Sequence, residues 1–179
     1  LSHKKIWEQL IEDKLKKYYI VVEDDCELHS KFSEYLTKVQ EKINKIDNFD
    51  MLFLGYSLFD DKKHKYNNAN FKDDIYINII DFDNSNYIGG TFGYIISKSG
   101  ATKLLDYIKS NGIKHGIDYL IKISNVLNIY QLDKFIVKSD LVQTSNSNID
   151  SDIHKNYEFI DIYSDENFQY FRSVDSGND

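Results

Sequence analysis

Tyr18-Tyr19-Ile20-Val21-Val22-Glu23-Asp24-Asp25 joins an apolar, β-branched run to three consecutive carboxylates. An apolar run without polar alternation is the pattern of a strand covered on both faces of an α/β sheet. The carboxyl ends of such strands open into the crevice where these folds hold ligands. Three adjacent acids repel one another unless a cation lies among them. A hard divalent ion, Mg2+ or Mn2+, would accept their oxygens and keep coordination positions for substrate phosphates. A solvated acidic turn, or the first turn of a helix favoured by its macrodipole, accounts for the same residues.

The chain of 179 residues, 41% hydrophobic and 15% aromatic, suits one folded domain with its own core. We expect that domain over residues 1–172, with 173–179 as a flexible tail. A formal charge of −7, from 22 basic against 29 acidic residues, argues against a nucleic-acid partner. Cys26 is the single cysteine, which excludes an intrachain disulfide; with no histidine beside it in sequence, it reads as a buried packing residue. No apolar run approaches the roughly 20 residues of a membrane span, and no signal-peptide pattern opens the chain. The expectation is a soluble, cytoplasmic chain. Proline is absent while Lys, Asn, Ile, Tyr and Asp abound, a composition in keeping with AT-rich coding sequence.

Ile6, Trp7, Leu10, Ile11 and Leu15 recur at helical spacing over Leu1 to Lys17, with Ser2 as N-cap. Phe32, Tyr35, Leu36, Val39, Ile43 and Ile46 mark a second helix. Met51-Leu52-Phe53-Leu54-Gly55 is an apolar run that predicts a second buried strand, parallel to the first in a βαβ unit. Residues 60–70 read as a surface loop, Ile75 to Ile80 as a strand, and 81–86 as a turn. Gly89-Gly90-Thr91 leads into an apolar strand, Phe92 to Ser97, followed by a helix over Ala101 to Ser110 and another beginning at Asp118. Ile129 to Val142 alternates loosely, as a strand would.

Leu1-Ser2-His3 with Trp7, Val22-Glu23-Asp24-Asp25, Phe49 to Gly55, Gly93 to Ser97 with Gly100-Ala101 and Leu104-Leu105, and Asp118 stand in one order and spacing. Over roughly Leu1 to Asp152 this order resembles the family-25 glycosyltransferases, which include lipooligosaccharide and collagen hydroxylysine galactosyltransferases. The resemblance implies a Rossmann-like type-A glycosyltransferase fold, α/β with a mostly parallel central sheet flanked by helices. It also implies a nucleotide-sugar donor, Mn2+ (or Mg2+), and inversion at the anomeric carbon. Glu23-Asp24-Asp25 then stands at the place of the Asp-x-Asp signature. The resemblance makes Asp25 the leading metal ligand and Glu23 the second, with Glu23 also near the ribose; Asp24 either joins them or caps the next helix.

By the same resemblance, Gly89, Gly90 and Thr91 lie beneath the donor sugar, although a β-bulge explains the glycines equally. Asp118 is implied as general base, with an ordinary N-cap as the alternative. Ser2 and His3 are candidates for the nucleotide because the helix they begin runs toward the acidic strand, although a lone histidine at a helix start is more often a local hydrogen-bonding or surface group. Gln143 (metal) and His154 are candidates for a remaining metal or diphosphate contact. Lys138-Ser139-Asp140 stands where the family commonly has a proline, which weakens the correspondence there.

The function expected is metal-dependent transfer of a hexose, galactose or glucose, from a UDP-sugar to a hydroxyl of a glycan or protein acceptor. The alternatives are a catalytically silent sugar-binding or assembly module of the same fold, and a phosphotransferase or hydrolase using the same acids. Because the resemblance begins only one helix before the acids, an early βαβ portion is expected upstream of Leu1. The sheet would then be shortened or rearranged, with its open edge covered by the C-terminal segment or a second copy in a homodimer.

Overall fold

The apolar stripe at the N-terminus forms α1 (Ser2–Glu12), in which Trp7 and Leu10 are completely buried. Each such side chain contributes roughly 1.5–3 kcal/mol by leaving water. In this computed structural model, which describes residues 2–58, 76–85, 87–113, 116–139 and 168–170, Ser2 is the first residue of α1. The helix stops five residues before the expected Lys17. Asp13 supplies the reason: its Oδ1 accepts the Leu15 and Lys16 amides at 2.7 and 3.1 Å, a local turn that competes with the helix. Leu15, read as part of the apolar stripe, is 89% exposed.

The chain continues through β1 (Tyr18–Val22), β2 (Cys26–His29), α2 (Phe32–Ile43), β3 (Met51–Leu58), β4 (Ile79–Asp81) and β5 (Tyr87–Ser97). It then forms α3 (Lys98–Asn111), α4 (Ile117–Ser124), β6 (Ile129–Leu132), β7 (Val137–Ser139) and β8 (Phe168–Tyr170). Among the described residues the strands make a five-stranded sheet, ordered β1-β5-β3-β6-β4, and a three-stranded sheet, β7-β2-β8.

The larger sheet is mixed, which corrects the expectation of a mostly parallel one. Among the described residues its only parallel pairing is β3 with β6; β1·β5, β3·β5 and β4·β6 are antiparallel. The strands β1 and β3 were expected to be parallel neighbours, but the long β5 lies between them and runs against both. It is a single strand from Tyr87 to Ser97, so the glycines expected to precede a strand belong to it. The expected strand over Ile75 to Ile80 is confined, in the described residues, to Ile79–Asp81. The expected loop at 60–70, the tail at 173–179, Gln143 and His154 lie outside the described residues.

Alternation along the sheet divides the core in two. Met51, Phe53, Tyr94 and Ile96 face a cluster with Trp7, Leu10, Leu104 and Leu120, contributed by α1, α3 and α4. Leu52, Leu54 and Ile95 face Tyr35 and Val39 of α2, together with Val137 of the smaller sheet. Gly55 and Gly93 let that smaller sheet approach. A Cβ at Gly55 would lie 1.8 Å from the Val137 carbonyl oxygen, and one at Gly93 would lie 2.8 Å from Val137 Cγ2. Ser97 caps α3 by accepting the Gly100 amide at 3.1 Å. Asp50, wholly buried, joins α3 to the sheet by accepting from Lys103 Nζ at 2.5 Å and from the Asn128 amide at 2.8 Å.

At the sheet's borders, β1 and β4 are the outer strands. The strand β8 adds to β2 in the smaller sheet, antiparallel, and does not cover the β1 edge. Among the described residues no helix is long and apolar enough to cross a membrane.

Candidate active site

β1 ends at Val22, opposite Gly93, and Glu23 extends the pairing by one bond, its amide donating to the Phe92 carbonyl at 2.8 Å. The next residues turn away: Asp24 is exposed, Asp25 is part-buried, and Cys26 opens β2. The acidic run therefore bridges the two sheets. Its charge is felt by its neighbour, since burial first and then Asp25, Glu23 and Asp24 push the Cys26 thiol up to about 12. Cys26 is buried and remains a protonated packing residue at neutral pH.

Opposite Glu23, β5 departs from regular pairing. Gly55 pairs with Gly93 and Ser57 with Gly89, so β5 carries two residues more than β3 across the same interval. Gly89 and Gly90 absorb this irregularity at φ 146° and 81°, in the left-handed region that favours glycine. The bulge anticipated as an alternative for these glycines is present. A Cβ at Gly90 would meet the Phe92 ring at 2.4 Å. A Cβ at Gly89 would lie 2.6 Å from Asp118 Oδ2, and one at Gly116 would lie 2.5 Å from Asp118 Oδ1. Bare backbone at both glycines thus makes the seat of the Asp118 carboxylate.

Consecutive residues of the bulge hold the two acids. The Gly90 amide donates to Asp118 Oδ2 at 3.3 Å, and Thr91 Oγ1 donates to Glu23 Oε1 at 2.5 Å. Asp118 lies in the first turn of α4 and also accepts the Tyr119 amide on Oδ1 at 2.8 Å. The N-cap is Gly116, so the capping role considered for Asp118 falls to another residue. Tyr87 senses both acids: burial first, then the charges of Asp118 and Glu23, raise its phenol well above the usual range.

His3, on α1, completes the Glu23 side. Its Nε2 lies 3.2 Å from Glu23 Oε1 and 3.4 Å from Thr91 Oγ1, and its Nδ1 lies 2.8 Å from the Tyr94 hydroxyl. Burial works to raise the Glu23 carboxyl, but chiefly the bonds from His3 and Thr91 outweigh it and hold Glu23 below its ordinary value. Tyr94 is fully buried and also accepts from Trp7 Nε1 at 3.1 Å. Tyr94 and Trp7 stood in the sequence motifs without an assigned role. The available signal was the spacing of His3 and Trp7, one helical turn apart on one face of α1.

Of the residues anticipated, Glu23, Thr91, His3, Gly90 and Asp118 form one continuous constellation. Ser2 is exposed at the helix start, and Asp24 is exposed on the turn. For a divalent cation, the Glu23 and Asp25 carboxylates are hard oxygen donors of the right kind. Among the described residues, however, no three His, Cys, Asp or Glu side chains gather into a ligand set. The described residues alone therefore do not make a complete metal site.

The family model of glycosyltransferase family 25 (LPS biosynthesis protein) matches residues 1–121, a span holding all five members of the constellation. A protein of Acanthamoeba polyphaga mimivirus named as a glycosyltransferase, R655, is 30% identical over 160 residues, covering 89% of this chain and 48% of the relative. Procollagen galactosyltransferase 2 of Mus musculus is 30% identical over 106 residues, 59% of this chain and 16% of that protein. Its counterpart in Homo sapiens is 28% identical over the same length. The chain thus spans about half, or less, of the length of the curated relatives it matches. A family match over more than half of the chain, one that takes in the residues converging in space, establishes that the chain belongs to glycosyltransferase family 25.

Proposed function

We infer that this domain transfers a hexose from a nucleotide sugar to an acceptor hydroxyl, with inversion, on a type-A-like scaffold. One observation carries the reading: consecutive residues of the β5 bulge, Gly90 and Thr91, orient Asp118 and Glu23 together. An inverting transfer needs a fixed carboxylate beside the acceptor and a polar group that receives the donor. Asp118 takes the first role. It removes the acceptor hydroxyl's proton as that oxygen bonds to the anomeric carbon and the bond from that carbon to the diphosphate breaks, releasing nucleoside diphosphate. Its two accepted amide bonds fix the carboxylate's direction before the acceptor arrives.

Glu23, with Thr91 and His3, takes the second role, contacting the ribose or sugar of a UDP-linked donor. A Mn2+ or Mg2+ ion would be held by Asp25 and Glu23, completed by the donor's diphosphate or by Gln143, and would neutralise the leaving group's charge. The names of the mouse and human relatives favour galactose as the sugar and a protein as the acceptor.

The test is Asp118→Asn, which keeps the shape and cannot take a proton. UDP-sugar binding persists while transfer falls by about 10²–10⁴-fold. Full transfer by that variant refutes Asp118 as base. A parent chain that binds donor and transfers nothing, alone or joined to further sequence, is a sugar-binding module instead.

A further inference from the structure

We propose that Trp7 and Tyr94 are positioning residues, the start of a one-way hydrogen-bond relay that sets the tautomer of His3 and thereby aims the Glu23 carboxylate at the donor. The proposal rests on the reading of Glu23 as a donor-binding group, but its geometry stands apart from that reading.

The direction of the relay follows from its first member. An indole N–H donates and cannot accept. Trp7 Nε1 therefore occupies a lone pair of the Tyr94 oxygen, at 3.1 Å, and leaves the hydroxyl proton to be given elsewhere. Tyr94 is wholly buried, so that proton needs an acceptor within the protein. His3 Nδ1, at 2.8 Å, supplies it. A neutral imidazole that accepts on Nδ1 carries its proton on Nε2. Nε2 faces Glu23 Oε1 at 3.2 Å and Thr91 Oγ1 at 3.4 Å, and Thr91 itself donates to Oε1 at 2.5 Å.

Two donors thus converge on one oxygen of Glu23, while Oε2 stays outside both bonds and is the oxygen offered to the donor. The opposite tautomer fails twice. It would set an imidazole lone pair against the carboxylate, and it would leave the buried Tyr94 proton without its acceptor. The relay also ties α1 to β1 and β5, so the helix that carries His3 is part of the site rather than a cover over it.

Nitrogen-15 NMR of His3 in the 179-residue chain, recorded at a pH where its imidazole is neutral, tests the relay directly. The expected spectrum shows a protonated, pyrrole-like Nε2 and a pyridine-like Nδ1. A proton on Nδ1, on both nitrogens, or shared between tautomers overturns the relay, and this measurement needs no variant that might misfold. Tyr94→Phe, which keeps the ring, is then expected to lose the single tautomer and to weaken UDP-sugar affinity roughly 10-fold. Retention of the Nε2–H tautomer overturns the relay. Loss of the tautomer with unchanged UDP-sugar affinity confines Trp7 and Tyr94 to architecture and overturns their positioning role. A parent chain that binds no UDP-sugar refutes the transferase reading and the relay's service to it, while the NMR result still decides whether the relay exists.

Discussion

Val137 lies against two glycines by two different kinds of contact, and the difference predicts opposite outcomes for the same substitution. At Gly93, an added Cβ would sit 2.8–2.9 Å from three side-chain carbons of Val137. Carbon atoms prefer about 3.5–4.0 Å, so the side chain must yield by roughly 0.7 Å, an overpacking cost of about 1–3 kcal/mol. Val137→Ala alone removes two buried methyl groups at about 0.8 kcal/mol each, plus a cavity, for about 2 kcal/mol. In the double variant the contacts with Val137 Cγ1 and Cγ2 are gone, and only the one with Cβ, at 2.9 Å, remains to be relieved by a small shift of the strand. The pair should therefore cost about 1–2 kcal/mol less than the sum of the singles. At Gly55 the neighbour is the Val137 peptide itself, with the carbonyl oxygen 1.8 Å from the added Cβ. Relief requires β7 to move away and strains the adjacent Ile136 N–H···O=C Leu54 bond of 3.0 Å. Gly55→Ala should cost about 3–4 kcal/mol, the upper end of overpacking plus one hydrogen bond, with no rescue from Val137→Ala. Neither glycine has positive φ, so the cost is steric and not conformational. Equilibrium urea unfolding followed by fluorescence of the single tryptophan, the buried Trp7, measures all five variants at constant m. Gly55→Ala within about 0.5 kcal/mol of the parent, or rescued as fully as Gly93→Ala, refutes the packing argument.

Asp25→Ala should weaken joint binding of Mn2+ and UDP by roughly 10-fold or more; calorimetry showing parent-like affinity would remove Asp25 from the proposed ligands. The Asp13 carboxyl is held below its ordinary value chiefly by the Leu15 amide and then by the Tyr19 hydroxyl, which donates at 2.8 Å. Its contribution to stability is therefore present above the unfolded carboxyl's pKa of about 3.9 and is lost as pH falls through the lower folded value. Carbon-13 titration of Tyr19→Phe should show the Asp13 midpoint rising toward the ordinary value, and an unchanged midpoint would show that the Tyr19 bond is not formed in solution.

How much of this was legible in the sequence depended on the range of the interaction involved. Apolar runs marked Tyr18 to Val22 and Met51 to Gly55 as strands, and three- and four-residue spacing marked the helices, because those signals are local. Strand β2 was hidden: Cys26-Glu27-Leu28-His29 is short, lacks β-branched residues and follows acids that suggest a turn. Strand direction was hidden for another reason. Whether β1 and β3 touch is decided by β5, whose Gly93 pairs with Val22 on one side and Gly55 on the other, contacts distant in sequence. A βαβ reading takes the nearest two strands as partners and misses an inserted third.

The site divides along the same line. Glu23, Thr91, His3 and Asp118, which the fold brings together, were singled out because carboxylates, a histidine and a glycine-flanked hydroxyl are residue types that suggest chemistry. Trp7 and Tyr94 stood in an apolar stripe and an apolar run with no role assigned, and by burial they are packing, since each is completely covered. Hydropathy counts an aromatic ring as apolar area and takes no account of its one polar atom. Burial is what makes that atom consequential: a covered indole N–H or phenol must find a partner, and here the partners run in one direction toward Glu23. Polar atoms on buried aromatic residues are where reading outward from a motif stops short in this family member, because their effect appears only when helix α1 is laid against β5.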